Sequence, residues 1–351
     1  MRILIVCRSM PWHVTGGLEN HAWDLARGLS AGGDDVHVLT TQARDQVPLT
    51  LTDGRISIHE VSAPMPGRYS SGTFYRLASK AVDLDRRFGY DVIHAQGFAA
   101  NAFGAKLASK LVITVHGTIT SETELYPTLF SLLSRKEKIN TIWQHRNRLA
   151  STPLFRRALH IAQILLVDSL FTRNELIDHW PALEHKIRVI PLGIHPERVP
   201  GYALPHEPHF PMRLLSVGRV TQMKGFHVAL EALARLRGKP WTYTIVGIGP
   251  ELDNLKKQSQ AAHLGDQVRF AGALSESELH MLREESDLFV FPELSYPAFG
   301  LVALEALLCN LPVVASGRNA IPEVVQPDSG WLVPGNDAEA LADRIDYLIQ
   351  H

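Results

Sequence analysis

Short apolar runs alternate with stretches of helical spacing along the first half of the chain. Arg2–Cys7 is a continuous apolar run, which is typical of a buried parallel strand. Leu18–Leu29 carries apolar side chains at helical spacing, and Asp35–Thr41 is a second strand-like run. This order predicts a βαβ unit. Further runs predict strands at Ile56–Val61, Asp91–Ala95, Leu111–Val115, Ile164–Val167 and Ile187–Ile190.

The alternation restarts after a polar, proline-rich stretch around Pro196–Phe210, which predicts a linker. Beyond it the pattern predicts strands at Arg213–Gly218, Trp241–Val246, Val268–Ala271, Leu288–Phe291 and Pro312–Ala315, and helices at His227–Leu236, Leu252–Ala262, Leu301–Leu308 and Ala338–Leu348. We therefore predict an α/β chain with two Rossmann-like domains, 1–196 and 211–351, joined by a linker at 197–210 and facing each other across a cleft.

Composition narrows the function without naming it. A length of 351 residues suits two domains, and a formal net charge of −1 argues against a nucleic-acid binder. Two cysteines are too few for a disulfide framework, so we expect a reducing compartment. The chain shows neither a signal peptide nor an apolar run of about 18 residues, so we expect a cytoplasmic protein, with peripheral membrane contact left open. Its 17 histidines form no metal-ligand cluster, and we predict no metal site.

Ligands of open parallel sheets bind beyond the carboxyl ends of the strands, so residues directly after strands are the candidates. Gly16 and Gly17 lie between the first strand and its helix, where glycine lets a ligand approach the backbone, although it often only shapes the turn. His116 follows the strand Leu111–Val115 and could bond a substrate hydroxyl or transfer a proton. Most single histidines do neither.

Two cations flank the loop after the first strand of the second domain. Arg219 follows Gly218, and Lys224 precedes a glycine and a helix, an arrangement that suits a diphosphate, whereas isolated surface cations are usually just solvated. Gly300 opens a later helix whose free N–H groups could hold a phosphate. Glu305 inside that helix could accept hydrogen bonds from the diol of a ribose; an exposed helical glutamate is the ordinary alternative.

Together these residues resemble the retaining glycosyltransferases of family 4, which have the GT-B fold of two Rossmann-like domains. The similar stretches follow the family's order over almost the whole chain: Gly16–Leu29, Asp91–Ala95, Thr114–Thr118, Val189–His195, Ser216–Arg219 with Lys224 and Gly225, Val246–Pro250, Val268–Gly272 and Phe299–Val324.

The resemblance implies a role for each matching residue. Arg219 and Lys224 would grip the donor diphosphate, Glu305 would hold the nucleotide ribose, and His116 would lie near the transferred sugar; His116, Arg219 and Lys224 form the implied catalytic set. The other implied donor contacts are Gly16, Gly17, Gly218, Arg269, Phe270, Gly272, Gly300, Leu301 and Val302.

The resemblance also implies the substrates. The donor would be a nucleoside-diphosphate sugar, with UDP the first nucleotide to consider, and the acceptor a hydroxyl of a saccharide, a lipid-linked or a small molecule. The product would belong to polysaccharide, glycolipid or natural-product glycoside assembly. No cofactor or metal is implied, and the oligomeric state is left open.

Two departures from the family leave alternatives open. Pro297 stands where the family has the first glutamate of an E-x7-E pattern ending at Glu305, and Glu293 is the nearest substitute. The chain also ends soon after Ala338–Leu348, so we expect the crossover helix of the family to be missing. A weakly active nucleotide-sugar-binding subunit that needs a partner chain, and an epimerase or phosphorylase of the same fold, therefore remain alternatives.

Ser121–Arg148 is the segment least similar to the family. It combines basic and aromatic residues, which would suit a lipid-linked acceptor or a membrane surface; a helix packed on its own core is the more ordinary interpretation.

Overall fold

The computed structural model describes residues 1–13, 16–42, 56–63, 71–117, 153–198, 207–295 and 297–351. The chain divides into two compact units, Met1–His195 (unit 1) and Pro196–His351 (unit 2). The segment Ser121–Arg148 and residues 199–206 of the predicted linker lie outside the described residues, so what the sequence predicts for them stays a prediction.

Unit 1 is built on a parallel sheet of seven strands in the order β3-β2-β1-β4-β5-β6-β7. The strands are β1 (Arg2–Val6), β2 (Asp35–Thr41), β3 (Ile56–Val61), β4 (Val92–Gln96), β5 (Leu111–Val115), β6 (Ile164–Val167) and β7 (Ile187–Val189). The α-helices among the described residues are α1 (Gly17–Ala31), α2 (Ser71–Phe88), α3 (153–161) and α4 (Leu170–His179).

The strands of unit 1 are apolar throughout because both faces of the sheet are covered. Leu4, Ile93 and Ile113 belong to one apolar core, while Ile3 and Ile5 of the same first strand belong to a second core on which α1 packs. Alternate residues of a strand point to opposite faces, so one continuous apolar run serves both cores.

Unit 2 is built on a parallel sheet of six strands in the order β10-β9-β8-β11-β12-β13. The strands are β8 (Met212–Val217), β9 (Trp241–Val246), β10 (Val268–Gly272), β11 (Leu288–Phe291), β12 (Val313–Ser316) and β13 (Gly330–Val333). The α-helices are α5 (Phe226–Arg235), α6 (Leu252–Ala261), α7 (Glu276–Glu284), α8 (Leu301–Leu308), α9 (Ile321–Val324) and α10 (Ala338–Gln350).

The predicted fold class, two Rossmann-like parallel α/β domains, is confirmed. Strand order reverses once in each sheet, between β1 and β4 in unit 1 and between β8 and β11 in unit 2. At such a switch point the loops after the two strands leave in opposite directions and open a crevice, which is where ligands of this architecture bind. Within the described part of the chain, no helix is both long and apolar enough to cross a membrane.

Candidate active site

Three charged residues, Arg219, Lys224 and Glu293, lie at the switch point of unit 2. Arg219 follows β8 and its side chain is exposed, while Lys224 ends the short turn Gln222–Lys224 before α5. Lys224 Nζ lies 2.5 Å from Glu293 Oε2, and Glu293 is the second residue after β11. The loops after β8 and β11 are thus tied together by an ion pair.

Glu293 is fully buried and its carboxylate is occupied on both oxygens. Besides Lys224, it accepts hydrogen bonds from the hydroxyl of Ser295 at 2.5 Å and from the Ser295 backbone N–H at 3.2 Å. A buried carboxylate with these partners fixes the position of Lys224. The interpretation of Glu293 as a substitute sugar contact for Pro297 stays a prediction.

Gly225 explains how the two loops can pack so closely. Its backbone is left-handed, with φ of 66°, and a Cβ at this position would lie 1.8 Å from the carbonyl oxygen of Pro292. Only glycine combines that conformation with that contact. The residue places Lys224 against the loop after β11.

The loops after β8, β9 and β10 also approach one another through glycines. A Cβ on Gly247 would lie 1.9 Å from the carbonyl oxygen of Gly218, and the Gly247 N–H donates to the Gly272 carbonyl at 2.7 Å. Arg269 and Phe270 lie on the edge strand β10, where Arg269 is exposed and Phe270 is half-buried. The structure therefore joins Gly218 to Gly272 through Gly247, two strands apart.

Gly300, whose φ is 104°, is the N-cap of α8. The N–H groups of Ala303 and Leu304 bond to the Gly300 carbonyl, so the free backbone donors of the first turn are those of Leu301 and Val302. The partial positive charge of a helix start adds to these two donors. The phosphate contact at Leu301 and Val302 stays a prediction.

Glu305 is buried in α8 and sits between two arginines. Arg198 donates through Nη2 to Oε1, and Arg283 donates through Nη2 to Oε2. The ordinary alternative, an exposed helical glutamate, is wrong, because Glu305 is 6% exposed. Two guanidinium groups around one carboxylate leave a surplus positive charge, which would attract a phosphorylated ligand.

Arg283 itself is 1% exposed, and its Nε and Nη1 atoms have no hydrogen-bond partner within the described residues. Its hydrogen-bonded ion pair with Glu305 links α7 to α8.

In unit 1, His116 follows β5 and contacts residues from the two neighbouring strand ends. Its Nδ1 lies 2.9 Å from Oδ2 of Asp168, which follows β6, and its Nε2 lies 2.8 Å from Oε1 of Gln96, the last residue of β4. Asp168 and Gln96 are each 1% exposed. The three side chains form one hydrogen-bonded row at the carboxyl end of the sheet.

Two further histidines lie beside this row. The His21 ring meets the His116 ring edge-on at 5.2 Å, and His94 Nε2 lies 2.6 Å from the Thr114 hydroxyl. Burial lowers the pKa of His21 to about 3, with His116 and His94 as further causes, and burial lowers the pKa of His94 to about 4. Both neighbours are therefore neutral at pH 7.

Gly16 caps α1, and Gly17 is the first residue of that helix rather than part of the loop. A Cβ on Gly16 would lie 2.5 Å from Oε2 of Glu19, a buried carboxylate that accepts a hydrogen bond from the Ser9 hydroxyl at 2.6 Å. Ser9 and Gly16 thus both lie against the buried Glu19 carboxylate.

Sequence reasoning missed Asp168, Arg198 and Arg283. Asp168 directly follows the predicted strand Ile164–Val167, so the rule that selected His116 would have selected it as well. The two arginines give no local signal, since they lie 107 and 22 residues from Glu305 along the chain.

Comparison with known families places both units. Residues 15–198 match the model described as Glycosyltransferase Family 4, and residues 207–351 match that of Glycosyl transferases group 1.

Individual relatives and structures agree with these matches. The chain is 28% identical to an amylovoran biosynthesis glycosyltransferase, AmsK, of Erwinia amylovora, over 81% of this chain and 68% of that protein. It is 30% identical to a glycogen synthase of Mycobacterium tuberculosis, over 99% of this chain and 86% of that protein. The crystal structure of Anabaena Alr3699/HepE in complex with UDP and glucose has the same fold, with a TM-score of 0.71 and 21% identity over 100% of this chain and 90% of that one.

Proposed function

Since the chain belongs to glycosyltransferase family 4, we propose that it transfers a sugar from a nucleoside-diphosphate sugar to a hydroxyl acceptor with retention of configuration at the anomeric carbon. The observation that carries the proposal is the cationic switch point of unit 2, where Arg219 is exposed and Lys224 is held in place by Glu293. A diphosphate is the group that two cations at such a crevice suit best.

The proposed chemistry needs stabilisation of charge more than a nucleophile. The bond between the anomeric carbon and the diphosphate oxygen breaks, and the electron pair leaves with the diphosphate. Arg219, Lys224 and the free N–H groups of Leu301 and Val302 neutralise that charge. The acceptor oxygen forms the new bond on the same face, and its proton passes to the departing diphosphate oxygen.

We assign Glu305 the role of binding the ribose of the donor nucleotide. Each of its oxygens accepts one arginine N–H and keeps a second lone pair, so the carboxylate can still accept from a ribose hydroxyl. Because Arg198 and Arg283 hold both oxygens, the carboxylate is fixed before the nucleotide arrives, which lowers the entropic cost of binding.

The acceptor is proposed to be a growing saccharide. The matched relatives are described as an amylovoran biosynthesis glycosyltransferase and a glycogen synthase, and both descriptions concern polysaccharides. UDP is the first nucleotide to test, since HepE was crystallised with it.

Calorimetry with UDP, ADP and GDP tests the donor site. We expect Arg219→Ala to weaken the binding of the preferred nucleotide about tenfold or more, the loss of one charge-assisted hydrogen bond. Arg237→Ala is the matched control, because Arg237 is an exposed arginine of the same unit. Equal affinity of the two variants would refute the assignment. Unchanged transfer in the presence of EDTA is expected if the side-chain cations replace a metal.

Pro297 favours a second candidate, a nucleotide-sugar-binding subunit that needs a partner chain. Proline offers no side-chain acceptor at the position where the family carries a glutamate. Under this alternative, the purified chain binds nucleotide but turns over slowly, and Pro297→Glu raises kcat with little change in nucleotide affinity. Rapid transfer by the wild-type chain alone would eliminate it.

A further inference from the structure

Both ring nitrogens of His116 are occupied, and their partners differ in kind. Asp168 at Nδ1 offers a carboxylate, which accepts hydrogen bonds and cannot donate when ionised. Gln96 at Nε2 offers an amide, which can present either its oxygen or, after a half-turn, its NH₂ group. The carboxylate side is therefore fixed and the amide side is adaptable.

We propose that Asp168 is the positioning residue for His116: it holds the proton on Nδ1, so that Nε2 is the one ring atom able to exchange its partner, Gln96, for a substrate hydroxyl. The proposal extends the proposed function and rests on it for the identity of the substrate, a sugar hydroxyl. It concerns Asp168 and Gln96, neither of which follows from the family resemblance.

The polar groups around Gln96 and Asp168 support the exchange. With Gln96 Oε1 directed at His116, the Gln96 Nε2 atom is buried without a partner within the described residues, and so is Asp168 Oδ1. A ring that carries its proton on Nδ1 has only a lone pair on Nε2, which cannot donate to Gln96 Oε1. The neutral row therefore requires the turned amide, with the Gln96 NH₂ group donating to His116 Nε2, and this orientation also gives the unpartnered Gln96 donor an acceptor. The same ring atom can accept from a substrate hydroxyl when Gln96 turns away.

The charges of the groups that face His116 also support the role of Asp168. His21 reaches it from α1 and His94 from β4, and both are held neutral by burial. Asp168, at the end of β6, is the carboxylate in contact with the ring. Of the three clustered histidines in the described ranges, His116 alone contacts a carboxylate, so Asp168 can orient this ring.

Nitrogen NMR of the histidine side chains tests the proton position directly. In wild-type protein labelled with ¹⁵N-histidine, the resonances lost in His116→Gln identify the ring, and we expect the neutral ring to carry its proton on Nδ1 and to have an unprotonated Nε2. In Asp168→Asn we expect the proton to shift to Nε2. Asp178→Asn, the same change at an exposed site on α4, should leave the ring as in wild type.

An unprotonated Nδ1 in the wild-type neutral ring would overturn the proposal without any variant, so misfolding of Asp168→Asn cannot rescue it. Persistence of the Nδ1 proton in a folded Asp168→Asn would overturn it equally.

The catalytic consequence is measured separately. We expect Asp168→Asn to lower kcat about 100-fold, within the range of general acid–base contributions, and to leave the dissociation constant of UDP unchanged, because the diphosphate residues belong to unit 2. A rise in KM for the donor with unchanged kcat would contradict the positioning role. If UDP does not bind at all while the NMR result holds, the proposed function is wrong, but the assignment of Asp168 as the positioning residue for His116 is retained.

Discussion

At the scale of single residues, Gly225 combines two constraints that glycine usually meets separately. Its φ is in the left-handed region, and its missing Cβ makes room for the Pro292 carbonyl. The first constraint costs other residues about 1–2 kcal/mol, and the second requires the backbone of the neighbouring loop to move. The two contributions can be measured apart.

We predict that Gly225→Ala destabilises the protein by clearly more than Gly238→Ala. Gly238 also has a positive φ, 85°, but a Cβ there would meet no atom within 4 Å, so it reports the conformational cost alone, about 1 kcal/mol. Urea denaturation of both variants gives the difference. Equal losses would mean that the loop after β11 yields freely to the added methyl group.

His94 makes a second residue-scale prediction, on pH. Its pKa is 6.5 in the unfolded chain and about 4 in the folded one, so between these values the unfolded state binds the extra proton. Stability therefore falls as pH drops below 6.5 and levels off below about 4; His94 alone accounts for up to about 3 kcal/mol.

We expect His94→Gln, which keeps a donor near the Thr114 hydroxyl, to flatten this part of the pH dependence of unfolding. His185→Gln is the control, since His185 is exposed and its loss should leave the slope nearly unchanged. A slope as steep in His94→Gln as in wild type would show that other groups cause it.

The sequence indicates the position of some residues of the candidate site and not of others. Arg219, Lys224 and His116 could be assigned to the loops after strands because strand ends are visible in the apolar pattern. The partners of Glu305 could not, because Arg198 and Arg283 reach it from positions 107 and 22 residues away. Only folding brings those three charges together.

At the scale of elements, α7 owes its start to local chemistry. Ser275 caps the helix by accepting the Glu278 N–H. The Ser275 hydroxyl and the Ser275 N–H both donate to the Glu278 carboxylate, and these two bonds lower the pKa of Glu278. The helix carries Arg283, the buried partner of Glu305. Its cap therefore bears on the candidate ribose site.

We predict that Ser275→Ala lowers stability by about 1 kcal/mol, the ordinary value of a lost N-cap. Ser79→Ala, in the interior of α2, removes an exposed hydroxyl from a non-capping position and should be neutral or slightly stabilising. Thermal denaturation compares the two variants. A loss in Ser79→Ala as large as in Ser275→Ala would argue against the capping box.

Elements with strong periodicity were predicted from the sequence within two residues, and weaker ones were not. β9, β11 and α8 have the predicted bounds, whereas α7 and β13 were missed. The α7 segment is rich in charge and buries a single residue, Arg283, which no apolar pattern can indicate. β13 has four residues and starts with a glycine, so its strand conformation comes from pairing with β12.

At the scale of the whole molecule, each unit contains apolar cores of its own, built around β4 and β5 in unit 1 and around β9 and β11 in unit 2. A ligand that binds one unit should therefore stabilise that unit first. The candidate donor residues are concentrated in unit 2.

We predict that UDP, at a concentration of 100 times its dissociation constant, stabilises unit 2 by about 2.7 kcal/mol. Hydrogen exchange of the full chain should then show added protection in β8, β11 and α8 and much less in β2 and β3. Uridine, which lacks the diphosphate, is the control ligand and should protect weakly. Equal protection of both units would mean that the nucleotide is not held by unit 2 alone.

The strand order has a consequence for how the protein is made. β8 is the first strand of unit 2 to leave the ribosome, yet it ends in the middle of the sheet, with β9 on one side and β11 on the other. The half β8-β9-β10 can assemble early, but Leu214 of β8 must wait for Leu288 of β11. Lys224 meets Glu293 only at that later moment. The residues proposed to bind the diphosphate therefore lie where an early half of the sheet meets a late one. Nucleotide binding by the growing chain should then begin only when the sheet is complete.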